Sequence, residues 1–437
     1  MKKKLQTKNN HLYFGNFDTV ELAQKYGTPL YVMDEQRIRE MCRVYRDAFQ
    51  AYGDSCILYA SKAFSTKAVY RIAADEGLGA DVVSGGELFT ALQAGFPAEK
   101  IYFHGNNKTP QELEYALSSG VGVIVADSFD EILLLNAIAH EKGLRQKVML
   151  RVNTGVEAHT HRFIQTSKVD SKFGFGAKDG EALKAAALVK QQSNLKFVGL
   201  HSHIGSQIFE EEPFALAVDV LFALACQIKE TCGFTMEQLN LGGGFGIWYS
   251  DQDALRQPAE YQKFAEVLIR AVQRNVAQTG LKKPKLLLEP GRSLVGEAGI
   301  TLYTAGNVKE IPGIKKYVSV DGGMFENPRY ALYQAAYTAV VANKAEEAPS
   351  EKVTIAGKCC ESGDMLILDA NLPHIERGDV LAVLSTGAYN YSMASHYNRN
   401  PIPGVLLLNG DRCDWIVRPE TYEDLTSHDT LPEWLKK

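Results

Sequence analysis

Between about residues 55 and 292, short runs rich in Val, Ile, Leu and Tyr alternate with longer stretches in which apolar residues recur at helical spacing. Parallel β/α units produce that alternation, because each buried strand returns through a helix that covers a face of the sheet. Eight runs can be counted: CILYASKA (56–63), LGADVVS (78–84), IYFHG (101–105), VGVIVAD (121–127), KVMLRVN (147–153), FVGLHSHIGS (197–206), QLNLGGGF (238–245) and KLLLEPGR (285–292). Eight such strands close a barrel. Between them, GELFTALQAGF (86–96) and TPQELEYALSSG (109–120) place Leu, Phe and Tyr at helical intervals, with Ser, Thr or Gly near the ends. The predicted fold is therefore α/β, with a (β/α)8 TIM-type barrel over residues 36–297. After residue 298 the runs YTAGNVKEI, KKYVSVDGG, EKVTIAG, DVLAVLSTG, GVLLLNG and DRCDWIVR follow without regular helical spacers. That pattern predicts a second, mainly β domain, sandwich-like or barrel-like, over residues 298–437, to which residues 1–35 are assigned as well. Within it, residues 331–350, with a Lys/Glu run at 344–347, read as an exposed excursion.

Several barrel runs end in residues that are unusual inside a core: Lys62, Ser84, His104, Asp127, Arg151, His203, the triplet Gly242 to Gly244, and Arg292. Barrels of this kind place their chemistry at the C-terminal strand ends. Lys62 in YASKAF suits either a structural ion pair or a Schiff base with the aldehyde of pyridoxal phosphate. His201 and His203 lie two apart in HSHIGSQ, so on a strand both imidazoles would share one face. A flat imidazole can pack on a planar cofactor ring, whereas His201 also fits a satisfied core position. A metal would need further His and Asp ligands at other strand ends, and His374, His396 and His428 all lie beyond the barrel, so no metal is expected. In LNLGGGFG the glycines let backbone N–H groups approach a phosphate, and the loops after strands seven and eight often build such a site. Glu289 in LLLEPGR suits a pyridine nitrogen, because a carboxylate there keeps that nitrogen protonated. The long stretch GVEAHTHRFIQTSKVDSKFGFGAKDG after run five reads as a functional loop.

Composition narrows the class of protein. The chain has 437 residues, 45% hydrophobic and 23% charged, as expected of a globular enzyme large enough for two domains. A formal net charge of -5 excludes the basic surface that nucleic acid or an anionic membrane requires. No apolar run approaches the roughly 18 residues of a membrane span. MKKKLQTKNN leads into a polar, aromatic stretch rather than a signal-peptide apolar region. The seven cysteines are odd in number and form no CxxC pair, which fits a reducing compartment and a cytoplasmic protein.

In the second domain, KCCESGD (358–364) sets two cysteines and two acids around a turn. A partly exposed thiol there can act as a proton donor, and Glu361 can pair with an ammonium. Arg329 in NPRYALY offers a planar fork for a carboxylate, and Tyr333 and Tyr389 offer hydroxyl donors. Inert packing and ordinary surface roles remain open for each of these residues.

Taken together, YASKAF, DVVSGGEL, FHGNNK, GVEAHTH, DSKFGFG, HSHIGSQI, LGGGFG, EPGRS, VDGGM, NPRYALY, CCESGD and GAYNYSM resemble the diaminopimelate decarboxylase family, among the alanine-racemase-like pyridoxal-phosphate enzymes. The resemblance runs from about residue 56 to residue 410. It implies a homodimer whose active sites lie between one subunit's barrel and the other's β domain. It further implies that Lys62 is the Schiff-base lysine, His203 stacks on the ring and Glu289 meets the pyridine nitrogen. Ser206, Gly243, Gly244, Gly291, Arg292 and Tyr389 would serve the cofactor. Arg292, Arg329, Tyr333 and Tyr389 would hold substrate carboxylate, Glu361 the distal ammonium, and Cys360 would donate a proton. The reaction implied is decarboxylation of meso-2,6-diaminopimelate to L-lysine, the last step of lysine biosynthesis. Tyr330 stands where the family more often has a proline after the arginine. Related decarboxylases of ornithine, arginine or a carboxylated polyamine would share the barrel residues and differ in the second domain. A racemase fits less well, because it tolerates an arginine opposite the pyridine nitrogen. A catalytically inactive regulatory binder would have no use for Lys62 and Cys360.

Overall fold

Eight parallel strands close on themselves in a computed structural model of the chain, which is described for residues 5–156, 171–251, 253 and 257–436. In order they are Ser55–Ala60, Gly79–Val82, Ile101–Phe103, Val123–Ala126, Gln146–Asn153, Leu195–His201, Gln238–Asn240 and Lys285–Leu288. Each pairs with the next, and the eighth returns to the first, with Leu288 opposite Ile57. Leu58, Tyr102, Val123, Val125, Met149, Val198 and Leu287 form one buried cluster drawn from six of the eight strands, the filling that makes such a barrel a packed core. Burying each of the larger side chains contributes about 1.5–3 kcal/mol. The Tyr102 hydroxyl donates to Gln238 Oε1 at 2.9 Å, so the polar end of a core tyrosine is satisfied.

Local sequence sets the helices between strands. Ser84 and Ser128 accept the backbone N–H of Glu87 and Glu131 at the starts of Gly85–Gln93 and Phe129–Glu141. Thr109 and Glu112 form a reciprocal capping box at the start of Pro110–Ser118, where Pro110 fills a first-turn position that has no intrahelical N–H bond to lose. The strands stop earlier than the hydrophobic runs suggest. Lys62 therefore lies on the single turn Ser61–Ala63, and His104 and His203 lie past their strands. The strand-face argument for His201 and His203 fails for this reason: the sixth strand ends at His201, and His203 belongs to the following loop.

Chain contacts divide the protein into two compact units: Met1–Arg37 with Trp248–Asp253 and Gly296–Lys437, and Ile38–Ile247 with Ala254–Val295. The first is mainly β. Its longest strand, Gly299–Ile311, pairs antiparallel with Lys315–Val320, Val380–Leu384 and the N-terminal strand Leu30–Asp34. Leu30–Asp34 in turn runs parallel to Val405–Asn409, so the N-terminal segment is woven into the C-terminal sheet. Met365–Leu372 is a strand outside the expected runs, and Ala339–Val341 is a strand with buried residues inside the segment read as an exposed excursion. Among the described residues, no helix is long and apolar enough to cross a membrane.

Candidate active site

At the C-terminal end of the barrel, all eight strands or their following turns contribute polar groups. Glu289 follows the eighth strand and is buried, with its carboxylate held from three sides. Asn240 Nδ2 donates to Oε1 at 2.6 Å. His201 Nε2 lies 3.1 Å from Oε2. His104 Nε2 stands 2.8 Å from Oε1, at an angle too poor for a hydrogen bond, so that contact is electrostatic. Burial pushes this carboxyl up, but the two imidazoles and the hydrogen bonding outweigh burial and hold Glu289 well below the usual carboxylate range. The same burial lowers His201 to about 4, and His203 falls well below the usual imidazole range through burial and the nearby Lys62 ammonium. Both rings are therefore neutral at pH 7, and His203 Nδ1 accepts the Gly243 N–H at 3.2 Å.

Lys62 is exposed on its turn, which is fixed from below. The Tyr59 hydroxyl donates to Phe64 O at 2.7 Å and the Ser61 hydroxyl to Asp81 O at 2.8 Å. Gly291 packs directly against this turn: a Cβ on it would come within 2.7 Å of Ala60 O. Two acids face the lysine from the next strand and helix. Burial raises Asp81, against the opposing pull of His104 and Lys62, and raises Glu87 to about 7. Farther round, Arg151 Nε lies 3.7 Å from Asp127 Oδ2, while Asp127 Oδ1 accepts the Gly174 N–H at 2.6 Å.

The glycine triplet occupies space that no side chain can share. A Cβ on Gly243 would lie 2.1 Å from Glu289 O, and one on Gly244 would lie 2.2 Å from Gly205 O at a φ of +108°. Ser206 accepts a hydrogen bond from Arg292 Nη2 at 3.0 Å. Ser206, Gly243, Gly244, Glu289, Arg292, His203 and Lys62 thus all lie at one end of the barrel.

In the β unit the expected residues fall into two groups. Arg329 is only 7% exposed; it donates to the Tyr337 hydroxyl at 2.7 Å, which donates to Asn390 Oδ1 at 3.0 Å. Its guanidinium lies 4.8 Å from the centre of the Tyr249 ring. Burial opposes its charge, but Tyr249, Tyr337 and Tyr389 together raise its pKa. Tyr389 has a left-handed backbone at φ 61°, and Tyr333 is half-buried at the end of the helix Arg329–Tyr333. Cys360 and Glu361 are exposed in the second group. The Cys360 N–H donates to Asn398 Oδ1 at 2.7 Å, and Asp364 accepts the N–H groups of Cys359 and Met324.

The sequence matches the pyridoxal-binding domain of pyridoxal-dependent decarboxylases over residues 35–296. Diaminopimelate decarboxylase of Bacillus subtilis (strain 168) is 49% identical over 425 residues, covering 97% of this chain and 96% of the relative. The enzyme of the same name from Staphylococcus aureus (strain COL) is 46% identical, covering 97% and 98%. The chain belongs to the diaminopimelate decarboxylase family. Among solved structures, diaminopimelate decarboxylase from M. jannaschii in co-complex with L-lysine superposes with a TM-score of 0.92 at 35% identity, covering 99% of this chain and 98% of that one. A lysine/ornithine decarboxylase from Vibrio vulnificus, 21% identical with a TM-score of 0.76, shares the fold.

Diaminopimelate decarboxylases are pyridoxal-phosphate enzymes, and the residues at this barrel end suit that cofactor. The Lys62 side chain is exposed at that end, a neutral imidazole lies near it, an ionised carboxylate is fixed at the strand ends, and Gly243 and Gly244 bring backbone to a place where a Cβ has no room. His104, His201 and Glu289 also place three metal-type ligand atoms within 4.8 Å of one another. His201 and Asn240 hydrogen-bond the carboxylate, and His104 meets it at 2.8 Å without a hydrogen bond. Sequence reasoning missed the roles of Asn240, Asp81, Glu87 and Tyr337. Asn240 carried a signal, as a polar side chain two residues before the triplet at the end of an apolar strand. Residues 157–170, which hold most of the loop expected after the fifth strand, lie outside the described residues.

Proposed function

We infer that this member of the diaminopimelate decarboxylase family removes CO2 from meso-2,6-diaminopimelate and releases L-lysine, the last step of lysine biosynthesis. The observation that carries this reading is Glu289, ionised and immobilised at the barrel end that presents Lys62. When bound, pyridoxal phosphate supplies an electron sink for the electron pair left by the broken C–C bond. Lys62 would hold the cofactor aldehyde, His203 would cover a ring face, and Glu289 would hold the proton on the ring nitrogen. Ser206, Gly243, Gly244 and Arg292 would hold the phosphate, with Gly291 and Tyr389 also reaching the cofactor.

Substrate orientation decides which bond breaks, because the leaving carboxylate must stand perpendicular to the ring. Arg329, with Arg292, Tyr333 and Tyr389, would bind the retained carboxylate. Arg329 suits this task because Tyr337 and Tyr249 fix its guanidinium before substrate arrives. Glu361 would bind the distal ammonium and Cys360 would deliver a proton to the carbon that has lost CO2. Both are exposed, as expected of residues offered to a second subunit, and we propose a homodimer with shared sites. Free thiols at all seven cysteines support a cytoplasmic location.

The test is product analysis of protein reconstituted with pyridoxal phosphate and given meso-diaminopimelate. Wild-type protein should yield lysine and CO2 in equal amounts, and Lys62→Ala should yield neither. Equal turnover by Lys62→Ala would overturn the assignment.

A further inference from the structure

Asn240 holds Glu289 and also makes a second hydrogen bond that no assignment above uses. Its side chain is 0% exposed at the end of the seventh strand. Nδ2 donates to Glu289 Oε1 at 2.6 Å, and Oδ1 accepts the Gly242 N–H at 2.9 Å. The Glu289 N–H in turn donates to Gly242 O at 2.7 Å. One buried amide therefore ties the carboxylate directly to the first residue of the glycine triplet. An apolar residue in its place would leave the Gly242 N–H and one carboxylate lone pair buried without partners, which is the costly way to lose a hydrogen bond.

We propose that Asn240 is a positioning residue that sets the spacing between the ring-nitrogen contact at Glu289 and the phosphate-binding backbone at Gly243 and Gly244. The inference rests on the cofactor assignment given above. A rigid ligand with a ring nitrogen at one end and a phosphate at the other gains from both contacts only if the two are held at a matching distance. His104 serves as an internal control, because it meets the same carboxylate oxygen and makes no contact with the triplet among those found at the described residues.

The experiment compares the affinities of the folded protein for pyridoxal phosphate and for pyridoxal, which lacks the phosphate, by fluorescence titration. In the wild type, the ratio of the two dissociation constants measures what the phosphate contacts contribute. Asn240→Leu should shrink that ratio roughly tenfold to a hundredfold, the usual effect of removing a group that orients a ligand-binding residue. His104→Leu should weaken both ligands alike and leave the ratio unchanged. Asn240→Asp keeps the acceptor for Gly242 but sets a second carboxyl against Glu289 in place of the donor, which breaks the tie, so it too should shrink the ratio; it provides a second variant if the leucine form does not fold. A wild-type ratio near one would sink the phosphate assignment itself. A normal wild-type ratio that Asn240→Leu retains would overturn this inference alone.

Discussion

Single residues carry most of the chemistry here, and each role has a distinct kinetic signature. Glu289→Gln keeps the shape of the side chain and removes its charge, so kcat should fall by about a hundredfold to a thousandfold, as when a charge-stabilising group is lost, with little change in KM. Glu361→Gln should do the reverse, raising KM for diaminopimelate while the visible absorbance of the bound cofactor stays the same; unchanged kinetics would remove Glu361 from the substrate site. Lys62 and Glu289 were legible in the sequence because a charged residue at the end of an apolar strand stands out against its neighbours. The contacts of Asp81, Glu87 and Asn240 were not, because their partners are far away in the chain: Asn240 meets Glu289 across 49 positions. Periodicity reveals which residue is out of place and not which distant residue it will face.

At the scale of elements, the eight strands were legible because each is a compact apolar run, and their ends were blurred because polar residues continue the run past the last ladder hydrogen bond. His203 illustrates the consequence, since a two-residue overrun turned a loop residue into a strand residue. The Met365–Leu372 strand was missed because its alternation breaks at Asp369, a residue with φ 52°. Within the turn after the seventh strand, Gly243→Ala would drive a Cβ against Glu289 O. It should lower stability by on the order of 2 kcal/mol and weaken pyridoxal phosphate binding, both measurable by thermal melting with and without the cofactor.

The loop before Arg329 gives a second element-scale prediction. Glu326 is fully buried; its Oε1 accepts the Tyr303 hydroxyl at 2.8 Å and the Gly323 N–H at 3.0 Å, and burial raises its carboxyl to about 8. The folded state therefore holds a proton that the unfolded chain releases near pH 4.5. The resulting stability is fully present below about pH 4.5 and is lost progressively as pH rises to about 8, at up to about 1.4 kcal/mol per pH unit. Glu326→Gln needs no proton, so its melting temperature should fall less than that of wild type between pH 5 and pH 8. Parallel curves for the two proteins would show that Glu326 is ionised in the fold.

For the whole molecule, a β/α barrel and a mainly β region were legible as a change in the spacing of apolar runs near residue 298, whereas the N-terminal segment, which holds the helix Thr19–Tyr26, shows no such pattern of its own. Its strand Leu30–Asp34 pairs with Gly299–Ile311, a partner far away in the chain. Subunit arrangement was not written in any periodicity, and it yields a test of its own. If Lys62 and Cys360 act from different subunits, mixing inactive Lys62→Ala and Cys360→Ala proteins should restore about a quarter of wild-type activity, since half of randomly exchanged dimers carry one intact site of two. No recovery after verified subunit exchange would place both residues in one subunit's site.

Substrate choice is the central claim for the whole molecule, and the most direct measurement is CO2 release by the pyridoxal-phosphate-loaded protein from meso-diaminopimelate, ornithine and arginine at equal concentration. Release from diaminopimelate alone, with lysine as the product, is the expected result. Release only from ornithine or arginine would contradict the roles given to Arg329 and Glu361 and with them the proposed function.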